Sequence, residues 1–369
     1  MPRVGGECLS TSSTTRVLTP ESLRDFAIAV LAQQGVPQQD ARVVADSLVH
    51  AELWGHSSHG MLRLPWYVAR LRTTAMSAVT APTSVLDTGS LVVLDGHDGI
   101  GQVLTHRAVQ LGVERARAHG ISGVAVRNSN HFGTAAYFTR QAAEAGCVAL
   151  LFTNASPAMA PWGGRRKTIG TNPWSIAAPA GRYGVAVMDL ANTAVARGKL
   201  YLAAEQGRPI PEGWAADAEG RSTTDPRQGI DGLILPMAGA KGYVISFMVD
   251  ILAGVLTGSG FGESITGPYQ PTERSGCGHL LLTIDVAALG ELAEFEHRVE
   301  ALIDDTKATD RAAGVEEIFF PGELEDRAAR ANEAGGVALA DITWDTLVDL
   351  AADARVPMPV PVPSKEIPQ

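Results

Sequence analysis

Apolar positions in the first part of the chain fall at helical spacing and then give way to short, dense runs. Leu23, Phe26, Ala27, Val30 and Leu31 make one helical stripe, with Thr19 placed as N-cap and Pro20 at the first helical position. A second stripe, Ala41, Val44, Ala45, Leu48, Val49 and Leu53, opens after Pro37 and stops at Gly55. Residues 84–88 and 91–96 read as strands, broken by Gly89, Gly99 and Gly101. A helix using Ala108, Leu111, Gly112 and Ala116 then leads to a buried strand over 120–126. Residues 134–145 carry Ala135, Tyr137, Phe138, Ala142 and Ala143 at mixed three and four spacing and end at Gly146, as a helix with a terminal glycine does. Further strands are expected over 148–152, 176–179, 185–190 and 278–285. A helix after Tyr243 is expected to bury Ile245, Met248, Val249, Leu252 and Leu256. Residues 205–230, with Pro209, Pro211, Asp217 and Gly220, look like an excursion rather than core. Helices over 289–303, 324–334 and 343–354 complete the pattern, and no internal repeat is present.

Strand, turn, helix, strand predicts an α/β layer. The chain divides into a mobile tail (1–17), an N-terminal helical region (18–79), an α/β region (80–290), a C-terminal helical region (291–356) and a proline-rich tail (357–369) that is extended or disordered.

Composition narrows the function classes. A net charge of −10 argues against a nucleic-acid binder, because that role needs a basic face to offset phosphate. Anionic substrates must therefore be met by local arginines and lysines. No run of about 18 apolar residues exists, so no membrane span is expected, and residues 1–8 lack the layout of a secretory signal. The expected location is the cytoplasm. Cys8, Cys147 and Cys277 show no metal-like spacing and fit reduced thiols packed as small apolar groups.

Candidate chemistry centres on Asn128-Ser129-Asn130-His131-Phe132-Gly133, a histidine in the turn between a predicted strand and a predicted helix. An imidazole there exchanges a proton near neutral pH, and the helix start offers free backbone N–H groups. Read alone, His131 is either a proton carrier or a hydrogen-bonded structural residue. Gly55-His56-Ser57-Ser58-His59-Gly60, followed by Arg63 and Tyr67, forms a second polar cluster. His56 and His59 lack the further donors a zinc site needs, so no metal is expected. Arg63 has the planar fork that grips a carboxylate with two charge-assisted bonds; a surface ion pair is the alternative. Arg165, Arg166 and Lys167 read as a solvated basic loop or a phosphate contact. Lys241 lies between glycines, where backbone and ligand approach closely. Neither a Walker loop nor G-x-G-x-x-G after a strand occurs, so the α/β fold is not expected to be of the Rossmann type.

These blocks, in this order from Leu23 to Ala352, resemble the malate/L-lactate dehydrogenase family of NAD(P)-dependent oxidoreductases. The carriers are 55–60 with Arg63 and Tyr67, 128–133, 153–157, 160–164, 170–173, 195–199, 241–243 and 321–323. The resemblance implies a non-Rossmann fold of mixed sheets with a helical second region, a cofactor-binding and catalytic role for 80–290, and a homodimer. It implies hydride transfer between NAD or NADP and a small carboxylate substrate, a 2-oxo/2-hydroxy acid. His131 would carry the proton and Arg63 would clamp the carboxylate, with Ser58, His59 and Tyr67 around the same pocket. Ser156, Asp189, Leu190, Ala191 and Lys241 would hold the dinucleotide. Two blocks depart from the family pattern: Leu190-Ala191-Asn192-Thr193 replaces a methionine-alanine-threonine-serine run, and Ala240 and Val244 replace the histidine and final glycine around Lys241. A cyclic imine reductase using the same site, and a catalytically silent dinucleotide binder, are the competing readings.

Overall fold

Of the 369 residues, the computed structural model describes 16–362. Arg16–Leu18 form β1, Pro20–Ala32 α1 and Gln38–Leu53 α2. Thr19 caps α1 by accepting the Ser22 N–H at 3.1 Å, and both predicted stripes are buried. Two tight turns, Ser57–His59 and Met61–Arg63, lead into α3, Leu64–Arg72. Next come β2 (Thr83–Asp87), β3 (Leu91–Asp95), α4 (Gly101–His119), β4 (Ile121–Ser129) and α5 (Ala136–Glu144). β5 (Cys147–Thr153), β6 (Trp174–Pro179), β7 (Val185–Leu190), α6 (Arg197–Glu205), β8 (Ala215–Ala216), β9 (Ser222–Thr223), α7 (Pro226–Asp231) and β10 (Leu233–Ile234) follow. The remainder is α8 (Ala240–Asp250), β11 (Cys277–Asp285), α9 (Leu292–Ala308), α10 (Glu323–Gly335), β12 (Val337–Leu339) and α11 (Asp341–Ala354).

The main sheet runs β2-β3-β4-β11-β5-β6-β7. Only β3 and β4 pair in parallel; the other neighbours are antiparallel. β11 enters between β4 and β5 from far along the chain, and its Leu280-Leu281-Leu282 run suits a strand covered on both faces. This mixed α/β architecture is not the parallel, doubly wound sheet of a Rossmann domain.

Two cores meet at the site. One packs Phe26, Leu48, Met61, Leu64 and Tyr67 from the N-terminal helices with Val337, Leu339, Leu347 and Leu350 from the C-terminal end. The other packs Val92, Leu104, Val126, Phe132, Phe138 and Leu281 over the sheet. The turn after β4 lies along the seam between them.

Four local expectations need correction. Arg16 and Val17, assigned to a mobile tail, pair with Leu339 and Ala338 of β12, a partner that local pattern cannot reveal; residues 1–15, with Cys8, lie outside the described residues. The 205–230 excursion holds a small sheet, β10-β8-β9, over a core of Val195, Leu200, Ile210, Ala215 and Ile234. The proline-rich end is docked as far as Val362, whose N–H donates to Val17 O at 2.9 Å. Finally, α8 and the π turn after it, Ile251–Val255, bury small residues (Gly242, Ser246, Ala253, Gly254) together with Val249. Met248 and Leu256, expected inside, are 50% and 63% exposed. Close approach explains the reversal: a Cβ on Gly278 of β11 would sit 1.8 Å from Ala253 O, so only small side chains fit between helix and sheet.

Candidate active site

His131 sits where β4 ends and before α5 begins, in a segment held from both sides. Asn130 is 2% exposed; its amide donates to Asp98 O and Gly99 O, each at 2.9 Å, and its Oδ1 accepts from Arg70 at 3.0 Å. Arg70, 1% exposed, also donates to Ala75 O, Glu273 O and Gln270 O, so one guanidinium fastens α3, the turn and the 270–273 loop. A Cβ on Gly101 would come 2.2 Å from Asn130 O, which brings α4 directly against the turn. The start of α5 is not open, contrary to the expectation from sequence: the Ala136 N–H donates to Asp189 Oδ2 at 2.8 Å. Burial raises the Asp189 pKa, and the Ala136 and Ala135 N–H groups oppose that rise.

Around His131 the second polar cluster is assembled from the two tight turns and α3. Tyr67 Oη lies 2.8 Å from His131 Nδ1. The His59 ring stacks on the His131 ring with centroids 5.8 Å apart, and Ser58 Oγ lies 2.9 Å from His59 Nδ1. Arg63 donates from Nε to Ser58 O at 2.5 Å and lays its guanidinium over Trp66, 4.0 Å from the ring centroid. No carboxylate among the described residues pairs with it, so the surface ion-pair alternative does not apply there. Burial lowers the Arg63 pKa. Burial, and then the charges of His59, Arg63, His279 and Arg70, pushes His131 well below its usual value. His59 falls to about 4, chiefly through burial. Tyr67 rises because burial penalises the phenolate. The cluster is thus neutral apart from cations and lacks a counter-anion, an arrangement that receives a carboxylate. His56 turns away toward Glu325, 3.8 Å distant. Among the described residues no group of three His, Cys, Asp or Glu side chains is placed to hold a metal.

Of the residues expected at the dinucleotide, Leu190, Ala191 and Lys241 lie on two segments that pack against each other. Leu190 and Ala191 are exposed at the end of β7, and Asn192 behind them is fully buried. The Asn192 amide donates to Asn172 O at 2.6 Å, and its own carbonyl accepts the Met237 N–H at 3.0 Å. A Cβ on Gly242 would meet that carbonyl at 2.6 Å, so the Leu190–Thr193 loop and the lysine block pack as one unit. Lys241 is exposed at the start of α8, which has no side-chain cap, and Trp162 lies over Gly239. A lysine, an open helix start and an aromatic face fit a dinucleotide's phosphates and ring. Ser156 is half-buried, with Gly267 packed beside its hydroxyl. A cavity of about 670 Å³ opens between Trp162–Arg165 and Leu233–Pro236, and one of about 300 Å³ lies between Pro161 and Phe247. Both adjoin the lysine block; neither is lined by His131 or Arg63, whose cluster is recognised by its chemistry rather than by its size.

Several participants were not singled out from sequence. Trp66 and Arg70 look like ordinary α3 residues. His279 lies within an apolar strand, with Nδ1 on Thr153 Oγ1 (2.8 Å) and Nε2 on Ser129 Oγ (2.7 Å).

Comparison with known proteins gives a consistent result. The profile of the family described as malate/L-lactate dehydrogenase matches residues 18–348. The L-sulfolactate dehydrogenase of Methanothermobacter thermautotrophicus is 37% identical over 339 residues, 92% of this chain and 97% of that one. The (2R)-3-sulfolactate dehydrogenase (NADP(+)) of Chromohalobacter salexigens is 40% identical over 293 residues, 79% and 88% of the two chains. Among solved structures, the sulfolactate dehydrogenase of Methanocaldococcus jannaschii superposes with a TM-score of 0.88 at 34% identity, over 93% of this chain and 98% of that one.

Proposed function

The chain belongs to the malate/L-lactate dehydrogenase family, and on that premise we propose that it interconverts a small 2-oxo acid and its 2-hydroxy acid, with His131 as proton carrier and Arg63 as carboxylate clamp. It is a dehydrogenase of hydroxy acids; the residue roles are our reading. The observation that carries them is the pairing of His131, bonded among the described residues only through Nδ1, with a half-buried guanidinium that has no carboxylate partner among them. Leu190, Ala191 and Lys241, with Ser156 nearby, would hold NAD or NADP, which would supply or accept the hydride when bound. Asp189 supports that side by capping α5.

Arg63 orients the substrate so that its C2 oxygen faces His131 Nε2. During oxidation, Nε2 takes the hydroxyl proton as the C2 hydrogen leaves with its electron pair. During reduction, the imidazolium returns a proton from Nε2 to the carbonyl oxygen. Tyr67 holds the ring through Nδ1, and the stacked His59 closes one face against water. Because the free site keeps His131 neutral, it is ready as a base; an anion on Arg63 offsets one of the charges that depress it.

The apolar stripe on α8 and its extension, with Val244, Phe247, Val255 and Leu256 outward, supports a homodimer through this face. Buried free thiols at Cys147 and Cys277 fit a cytoplasmic location. Light scattering of Phe247→Asp would show a monomer if the dimer reading is right and an unchanged mass if it is wrong.

Activity is tested by following NADH or NADPH absorbance with a panel of 2-oxo acids, including sulfonated and dicarboxylic ones, and with cyclic imino acids. Turnover of oxo acids supports the proposal. Exclusive turnover of imines, or cofactor binding without turnover of anything in the panel, refutes it.

A further inference from the structure

Glu52 lies in the last turn of α2 and is 2% exposed. A carboxyl is unfavourable there, because burial penalises its charge and the C-terminal end of a helix repels it. Its neighbours Leu48, Val49 and Leu53 are apolar and buried. What the carboxyl gains is one short bond: Oε1 accepts the Met61 N–H at 2.7 Å, while Oε2 has no partner among the described residues. Gly60 packs on the same group, since a Cβ there would overlap Oε1 and Cδ and come 2.7 Å from Cγ.

This contact falls at the junction of the two tight turns. Gly60 ends Ser57–His59 and opens Met61–Arg63. Its N–H donates to Ser57 O at 3.2 Å, and its carbonyl accepts the Arg63 N–H at 2.9 Å. Glu52 therefore grips the point from which both turns leave, with Ser58 and His59 on one side and Arg63 on the other. We propose that Glu52 is a positioning residue for the carboxylate clamp: Oε1 holds the Gly60–Met61 junction, and that hold sets the aim of Arg63. The proposal rests on the reading of Arg63 as the clamp. Arg63 Nε is fastened to Ser58 O at 2.5 Å across the junction, so a junction that swings changes the spacing of the turns and tilts the guanidinium. A guanidinium holds a carboxylate by two bonds of fixed direction, and tilt weakens both. His131 stands on the separate turn after β4, so the loss falls on substrate binding rather than on proton transfer.

The test uses the full chain and two substitutions of nearly equal bulk. Glu52→Gln keeps an oxygen for the Met61 N–H; Glu52→Met fills the same space and offers none. The Met61 amide proton is followed by NMR in protein carrying nitrogen-labelled methionine, without substrate. It is expected to exchange slowly in the parent and in Glu52→Gln, and faster in Glu52→Met. KM is measured for the 2-oxo acid of the panel that turns over fastest, oxaloacetate being tried first. In Glu52→Met it is expected to rise about 10-fold, near the lower end of what losing the fork itself costs, with kcat and the cofactor KM at parental values. In Glu52→Gln all three stay parental. A packing role alone predicts no difference between the two variants, so equal KM values overturn the proposal, as does a loss confined to kcat. If Glu52→Met does not fold, Gly60→Ala decides, because its methyl group takes the place of the carboxyl. Faster Met61 exchange with a raised KM then supports the proposal, and a parental KM overturns it. Arg63→Lys separates the two failures: if it raises KM and Glu52→Met does not, the positioning role falls and the clamp stands; if neither raises KM, both fall.

Discussion

The turn after β4 and the middle of β11 each hold a histidine whose charged form burial disfavours, yet they do different work. In β11 both nitrogens of His279 are engaged, by Thr153 and Ser129, and burial brings its pKa to about 3. In the turn, only Nδ1 of His131 has a partner among the described residues, and the ring adjoins the half-buried Arg63 guanidinium. Burial and a low pKa therefore do not mark chemistry by themselves. A nitrogen left over after the fold has satisfied the other does.

That contrast breaks most directly by substitution. His131→Ala is expected to lower kcat by about 10²- to 10⁴-fold while leaving the melting temperature near that of the parent; steady-state kinetics showing near-parental kcat would erase the distinction. His279→Ala should do the reverse. It strands two buried hydroxyls beside a cavity, so a loss of about 2–5 kcal/mol in denaturant unfolding is expected, with kcat of the folded fraction intact. Next in size is Arg63→Lys, which keeps the charge but loses the fork. A rise in KM equivalent to about 1.5–3 kcal/mol is expected, and an unchanged KM would place the carboxylate elsewhere.

Acid sensitivity sharpens the comparison rather than breaking it. His131, His59 and His279 all have folded pKa values below the unfolded value of 6.5, with His59 at about 4 and His279 at about 3. The unfolded chain thus binds more protons as pH falls below 6.5, and the stability contributed by neutral imidazoles is lost progressively toward those lower values. Thermal melts between pH 7 and pH 4 should show a falling midpoint, and the fall should be shallower in His279→Gln. The smallest effect is expected for Trp66→Leu, which removes the ring beneath Arg63; a KM change worth about 0.5–2 kcal/mol would register the lost cation–π contact.

Legibility in the sequence followed the range of the interaction. The α1 and α2 stripes, the Thr19 cap and the positions of the main-sheet strands along the chain were readable because three- and four-residue spacing and β-branched runs are local signals. His131, Arg63, His59, Ser58 and Tyr67 were readable as types in two separate blocks, and the fold brings them to one seam. Three-residue pairing of β1 with β12, and the placing of β11 between β4 and β5, depend on partners far along the chain. The outward stripe of α8 was misread because apolar size was taken as the sign of burial, whereas close approach to β11 selects glycine, alanine and serine.

The pairing of Arg16–Leu18 with Val337–Leu339, clasped further by Val362 on Val17, acts as a hoop around the helical core. Met61, Leu64 and Tyr67 rest on the inside of that hoop. Trimming either end back past these residues loosens the wall that carries Arg63 and Tyr67, so damage far from the chemistry in sequence is felt first as a poorly aimed guanidinium and phenol.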